Sequence, residues 1–343
     1  TRQPLGARRR NDLLAAAATL LSEWRRLGLL KSIDSDAIRD ALRPVKREHP
    51  LPDFLPPQGV RRLLEAAVSG RGGIALIGGP AGMGKSRLGR ETAAMAERLG
   101  INVLTGHCVD MESPPPYQPS IDQLEQAARQ ASADGFRAAL GVNAPEVAKL
   151  LPSLRQRYDD IPPSPELTPE QERRYMLHGV GEFIARAASV QPILLVFEDL
   201  HWADESTVLL LRHQSARLAE MRVVVVGTYR DDELEPDRPL TSSIGPLVRD
   251  GGALDLRPHL LNRDEVAAVV AARAGQEAPD DLVDLIVAET HGNPFFVEEL
   301  FRHLRESGRL FDEDGGWRPG FEIGETEVPQ GIRLLISRRL DQL

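Results

Sequence analysis

The chain has 343 residues, a net charge of −9 from 42 lysines and arginines against 51 aspartates and glutamates, and a single cysteine, Cys108. This length predicts two or three folded units, and the acidic balance disfavours nonspecific binding to nucleic acid or anionic lipid. One cysteine excludes a disulfide framework, and no apolar run approaches the roughly 20 residues that cross a bilayer, so we expect a cytoplasmic protein without a membrane partner.

The first fifty residues predict a small helical lead-in. Apolar residues recur at helical spacing over 11–30 and again over 35–47. The proline-rich stretch 50–57 cannot continue a helix and marks a boundary. One more helix is predicted at 60–68.

From residue 73 onward, short apolar runs alternate with amphipathic helices. Fully apolar strands separated by helices indicate a parallel sheet covered on both faces, because each parallel neighbour needs a crossover. Two proline-bearing stretches, 113–119 and 161–169, bracket a predicted helical insertion at about 120–170. We therefore predict a doubly wound α/β domain with strands at 74–77, 101–104, 193–197 and 222–226.

Beyond Asp255 the pattern becomes helical. After these helical segments, Asp314-Gly315-Gly316 is typical of a hairpin turn and has Leu310 and Trp317 on its flanks. The spacing of apolar residues predicts three helices in this part of the chain, at 263–274, 279–289 and 294–307.

A glycine-rich loop follows the first apolar run. The segment GPAGMGKS matches G-x-x-x-x-G-K-[ST] in full and precedes a predicted helix at 88–99. Glycines allow successive backbone N–H groups to turn toward a phosphate, and the helix N-terminus adds partial positive charge. Lys85, one of four lysines beside 38 arginines, would contact the β- and γ-phosphates, and the Ser86 hydroxyl can ligate Mg²⁺. We therefore predict that a nucleotide is bound by Gly79, Pro80, Ala81, Gly82, Met83, Gly84, Lys85, Ser86 and Arg87.

Two carboxylates follow the third apolar run. The strand predicted at 193–197 is followed by Glu198 and Asp199, at the end of a parallel strand where ligands of open α/β sheets bind. One of the two would hold Mg²⁺, and the other would act as a base on the attacking water. The sequence leaves open which carboxylate has which role.

An arginine follows the fourth apolar run. Arg230 can contact a γ-phosphate because its charge is fixed and its donors are directional. In a chain with 38 arginines, an ordinary surface arginine is the competing interpretation. The chain has no Asn-Lys-x-Asp motif for reading guanine, which favours ATP over GTP.

Four sequence blocks together resemble a known family. GPAGMGKSRL, LLVFEDLHWAD, VVVVGTYRDDEL and HGNPFFVEEL follow one another as they do in the STAND class of P-loop ATPases. The similarity covers roughly residues 60–343. It is strongest to the bacterial predicted-ATPase modules of large LuxR-type regulators and of chains with nucleotide-cyclase or kinase domains.

The resemblance implies a P-loop NTPase domain, a helical lid and the start of a winged-helix domain, here from Val328 onward. Lys85 and Ser86 would then bind phosphate and Mg²⁺, with Glu198 and Asp199 as the acidic pair. Arg230 would be the sensor arginine, and Pro294 would pack near the adenine. Residues 54–58 depart from the family's usual adenine-pocket stretch, so the base contacts stay open. The implied domains are a lead-in at 1–50, a nucleotide-binding domain at 51–258, a lid at 259–308 and a truncated winged-helix start at 309–343.

Several neighbouring residues have structural interpretations. We expect His201 and Trp202 to pack the strand-to-helix turn, and Asp204 to cap the helix that begins at Glu205. Cys108 is expected to be a small buried residue. In the C-terminal helices we expect a solvated face at Glu298 and Glu299, and packing of the lid against the core at Phe295 and Phe296.

Three functions are open at this point. The leading hypothesis is a regulatory ATPase in which ATP selects a conformation and slow hydrolysis resets it. The alternatives are a non-hydrolysing scaffold locked by ADP or ATP, and a DNA-associated AAA+ remodelling ATPase, which the net charge disfavours. Because the chain begins at Thr1 and stops inside a helical pattern, we expect further domains of a longer parent chain as partners. We also expect self-association on activation and, because the net charge is −9, no direct nucleic-acid binding by this part of the chain.

Overall fold

The structure is a computed structural model that describes most of the chain after the lead-in. The helical lead-in predicted for 1–50, residue Asp314 of the predicted turn, and the winged-helix start from Val328 lie outside the described residues. The described residues are 58–111, 114–236, 238–249, 252–312 and 315–318. The boundaries of the predicted domains stay predictions.

Five parallel strands form a single sheet in the order β2-β3-β4-β1-β5. The predicted α/β class is thereby confirmed. Four strands coincide with the predicted apolar runs, and the fifth was missed because it has only three residues, of which Asp255 is exposed. The strands are β1 (Gly73–Gly78), β2 (Asn102–His107), β3 (Ile193–Glu198), β4 (Val223–Tyr229) and β5 (Leu254–Leu256).

Helices connect these strands and follow them. None of the described helices combines the length and apolarity needed to cross a membrane. They are α1 (Gln58–Val68), α2 (Lys85–Arg98), α3 (Gln118–Gln130), α4 (Ala133–Leu140), α5 (Ala144–Leu150), α6 (Leu154–Arg157), α7 (Pro169–Val190), α8 (Glu205–Ser215), α9 (Pro239–Arg249), α10 (Arg263–Ala274), α11 (Asp280–Thr290) and α12 (Pro294–Glu306).

The sheet buries a different set of side chains on each face, because successive residues of a strand point in opposite directions. On the face covered by α2, Leu194 and Val196 of β3 pack with Met95 and Ala96 of that helix. On the other face, Leu195 and its alternate neighbours pack against α8 and α9. Full burial of each such aliphatic side chain contributes about 1.5–3 kcal/mol to the stability of the fold.

The remaining helices build two further cores. Helices α3 to α7 surround Phe136, whose ring centroid lies 5.2 Å from that of Phe183. Helices α10 to α12, called here the C-terminal helices, share an apolar core of their own. The predicted hairpin flanks that core: Phe311 and Trp317 form an antiparallel bridge, and Asp312 N–H donates to Gly316 O over 2.9 Å.

Candidate functional site

The glycine-rich loop joins β1 to α2 at the carboxyl end of the sheet, as predicted. Gly82 and Gly84 have φ values of 80° and 82°, in the left-handed region that favours glycine. Gly84 is the N-cap of α2 and has no capping side chain, so the first N–H groups of the helix are left for another partner. This combination of bend and helix N-terminus is typical of an anion site.

Lys85 is buried at the first position of α2, with 7% of its surface exposed. Its Nζ donates to the carbonyl oxygens of Gly79 and Pro80, each over 2.6 Å. Burial lowers the pKa of this ammonium and the nearby charge of Arg230 lowers it further, while Asp199 and the acids after Arg230 partly oppose the shift. The ammonium is therefore held at the loop in surroundings that leave its charge incompletely compensated.

The other loop residues have distinct positions. Ser86 is exposed beside Lys85, so its hydroxyl is accessible. Ala81 is exposed, and Met83 is buried with 6% of its surface exposed. Arg87 forms a short ion pair with Glu298 of α12.

Glu198 and Asp199 lie at the end of β3 but differ in direction. Glu198 is in register with His107 of β2, and its Oε2 lies 3.5 Å from Nε2 of that histidine. Since Leu194 and Val196 pack on the α2 side, strand alternation places Glu198 on the same face as α2. Asp199 has a φ of 57°, and its backbone N–H donates to the Thr228 hydroxyl over 3.1 Å.

Strand β4 lies between β1 and β3, so its end separates the loop from the acidic pair. Gly78 is in register with Tyr229, which places Arg230 next to the start of the loop. The charges of Arg230 and Asp199 both shift the pKa of Lys85. The structure therefore brings together three of the predicted catalytic residues, Lys85, Asp199 and Arg230.

A cavity of about 340 Å³ lies between the loop and the C-terminal helices. Its volume falls within the range of about 300–1,000 Å³ that small-molecule sites occupy. Pro294, predicted to pack near an adenine, is one of its lining residues. Met83, Arg87, Arg257 and Glu298 also line it.

The C-terminal helices contact the loop directly. Phe295 N–H donates to Gly82 O over 3.2 Å, and a Cβ built on Gly82 would lie 3.0 Å from Asn293 Oδ1. Phe296 is buried, whereas Phe295 is 45% exposed. Packing of these rings between the C-terminal helices and the core stays a prediction. The expectation of a solvated face at Glu298 is wrong, because Arg87 and Arg273 both pair with this carboxylate.

The structural interpretations of the strand-to-helix turn are confirmed. His201 is buried, and the Asp204 carboxylate accepts hydrogen bonds from the N–H groups of Ser206 and Thr207 at the start of α8. Cys108 is 6% exposed, and burial raises the pKa of its thiol to about 12.

The ion-pair partners of the predicted site residues were not predicted from the sequence. Glu233 pairs with Arg230, and Arg257 at the end of β5 pairs with Asp231 over 2.7 Å. A signal for Glu233 was present, because the acidic run after Arg230 places a carboxylate three residues away. Among the described residues, no three or more histidine, cysteine or acidic side chains converge as a metal site. A Mg²⁺ ion here would therefore depend on few protein ligands together with phosphate and water, as this ion usually does.

Comparison with known proteins gives the site a family context. Residues 58–226, just under half of the chain, match the AAA ATPase domain. An uncharacterised protein of Rhizobium meliloti (strain 1021) is 26% identical over an aligned length of 267, and the alignment covers 72% of this chain and 24% of that protein. The chain thus spans about a quarter of the length of this curated relative.

Solved structures of low sequence similarity align over most of the chain. A Walker-type ATPase of Pyrococcus abyssi is 12% identical with a TM-score of 0.44, over 86% of this chain and 76% of that one. A RuvB variant of Thermotoga maritima is 15% identical with a TM-score of 0.40, over 81% and 67% of the two chains.

Proposed function

We propose that the AAA ATPase-like segment, residues 58–226, together with the C-terminal helices, binds ATP with Mg²⁺, hydrolyses it slowly, and acts as a nucleotide-dependent switch in a longer regulatory chain. The observation that carries the proposal is the buried Lys85 ammonium. It lies at a loop whose amide groups and helix N-terminus favour an anion, beside a cavity large enough for a nucleoside.

The residues present fit a triphosphate. Lys85 can exchange its two carbonyl partners for phosphate oxygens, whose negative charge would compensate the desolvation that lowers its pKa. The cavity beside Met83 and Pro294 would take the base and ribose. Because its lining comes from both α2 and the C-terminal helices, a bound nucleotide would stabilise one arrangement of the two.

The two carboxylates would have different roles. Glu198 lies on the face of the sheet that α2 covers, and Ser86 is exposed in the first turn of that helix, so we assign Glu198 and Ser86 to Mg²⁺. The charge of Asp199 raises the pKa of Lys85, and we assign to Asp199 the orientation of the attacking water and the acceptance of its proton. The ion, when bound, would neutralise charge on the phosphates.

Arg230 would sense the γ-phosphate. Its guanidinium lies near enough to Lys85 to lower the pKa of that ammonium, so both cations would face the same polyanion. A phosphate that contacts Arg230 and the loop at once would favour a closed arrangement of the loop and the C-terminal helices. The nucleotide would then bind this closed arrangement more tightly than an open one.

The test compares nucleotide binding and phosphate release in matched variants. Calorimetry with ATP and ADP should show binding by the wild-type chain and loss of binding in Lys85→Ala. Glu198→Gln should raise the Mg²⁺ concentration needed for half-maximal turnover, whereas Asp199→Asn should reduce single-turnover cleavage by about 100-fold or more with binding retained.

Glu97→Gln, which removes an exposed carboxylate at the far end of α2, is the control and should behave as wild type. Nucleotide binding without cleavage in the wild-type chain would contradict the hydrolytic part and favour a nucleotide-locked scaffold. Binding that survives Lys85→Ala would contradict the site itself.

A further inference from the structure

The guanidinium of Arg230 already has a partner. Glu233, three residues further along the same loop, forms a short ion pair with Arg230 Nη1, and both side chains are about one-third exposed. The guanidinium carbon also lies 5.5 Å from the centre of the Trp202 ring, within the range of a cation–π contact. The proposed sensor is therefore held by a carboxylate and an aromatic face.

A buried histidine, His201, lies next to both Arg230 and Glu233. Nδ1 of His201 accepts a hydrogen bond from the backbone N–H of Arg230 over 3.4 Å, and its Nε2 lies 3.2 Å from Oε2 of Glu233. The His201 side chain has no exposed surface. Because Nδ1 accepts, the ring hydrogen belongs on Nε2, which lies close to the Glu233 carboxylate without making a hydrogen bond to it.

We propose that Glu233 is a positioning residue that competes with the γ-phosphate for Arg230. Without a triphosphate, the carboxylate pairs with Nη1 of Arg230; a γ-phosphate that binds Nη1 must displace it before the arginine can close on the nucleotide. This inference rests on the proposed function, since it concerns how the same site distinguishes ATP from ADP.

The competition has a specific thermodynamic signature. Displacing Glu233 opposes the binding of ATP but has no counterpart for ADP, because ADP lacks the group that would contact Arg230. Removing the Glu233 charge should therefore strengthen binding of a triphosphate and leave binding of a diphosphate unchanged. A pair that is one-third exposed predicts an effect of roughly 2- to 5-fold in affinity.

The experiment measures dissociation constants for AMPPCP and ADP by calorimetry at one ionic strength. Glu233→Gln and Glu233→Ala should each lower the AMPPCP constant by roughly 2- to 5-fold, with the ADP constant unchanged. Glu235→Gln removes the same charge two residues away, at a side chain that is 74% exposed, and should leave the ratio of the two constants as in wild type. In an Arg230→Ala background, Glu233→Gln should have no effect on that ratio.

Three results would overturn the inference. They are an equal change for both nucleotides, an unchanged ratio in both Glu233 variants, and a change that persists without Arg230. All three presuppose that the wild-type chain binds nucleotide, so they are distinct from failure of the proposed function, in which neither nucleotide binds.

Discussion

Replacing Lys85 by methionine should abolish nucleotide binding without greatly changing the stability of the nucleotide-free protein. The reason is the sign of its pKa shift. Burial lowers the pKa of this ammonium, so the folded state holds the proton less tightly than the unfolded chain does. Where Lys85 is protonated in both states, its charge therefore opposes folding.

The expected magnitude follows from two opposing contributions. Lys85→Met removes two hydrogen bonds of a charged donor, each worth about 1.5–3 kcal/mol, to the carbonyls of Gly79 and Pro80. It also removes a buried charge whose desolvation costs several kcal/mol. The free energy of unfolding should then change by no more than about 2 kcal/mol in either direction.

Thermal unfolding with and without nucleotide tests this reasoning. At an ATP concentration 100-fold above the dissociation constant, wild-type protein should gain about 2.7 kcal/mol, which raises Tm by roughly 5–10 °C for a domain of this size. Lys85→Met should show no such shift. A loss of more than about 3 kcal/mol without nucleotide, or a retained shift with it, would refute the argument.

Lys149→Met is the matched control, because Lys149 is the other lysine whose surroundings the structure describes. Burial also lowers the pKa of Lys149, but its contacts with Glu146 and Glu172, at 2.9 and 3.1 Å, outweigh that effect and raise it. Its charge thus stabilises the fold. The substitution would leave the buried Glu146 carboxylate without its partner, so we expect a loss of about 1–3 kcal/mol and an unchanged response to ATP.

Two further predictions concern the backbone near the C-terminal helices and the single thiol. Gly292→Ala should lower the free energy of unfolding in urea by at least about 3 kcal/mol, because the residue has a φ of 74° and an added Cβ would lie 2.1 Å from Leu261 O. Gly100 has the same φ but open space around it, so Gly100→Ala should lower this free energy by only about 1–2 kcal/mol. Cys108, with a pKa of about 12 against an ordinary 9.0, should react with a thiol reagent at pH 8 roughly a thousandfold more slowly in the native than in the urea-unfolded chain; comparable rates would mean that the thiol is accessible.

The positions of the fully buried strands could be predicted from the sequence. Four apolar runs predict β1 to β4, because a strand covered on both faces must be apolar throughout. Strand β5 has three residues and an exposed Asp255 at its centre, so it carries no such signal. The order of the strands was not predictable, since it depends on which distant strands pair.

The candidate site was predictable where its chemistry is local in the sequence. The loop at Lys85 has a complete pattern within eight residues, and the acidic pair at Glu198 follows a recognisable strand. The partners of the site were not predictable in the same way. Glu298 lies on an amphipathic helix more than 200 residues from Arg87, and its spacing is equally typical of a solvated face.

The contacts between the loop and the C-terminal helices affect how quickly a ligand can be exchanged. In the structure described here, the hydrogen bond from Phe295 to Gly82 and the ion pair of Glu298 with Arg87 join the two sides of the cavity. Under the proposed function, a triphosphate would enter and leave the cavity by separating these contacts. Loading would then be slower than diffusion allows, and a bound nucleotide would have a long residence time, which suits a timer better than a rapidly cycling motor.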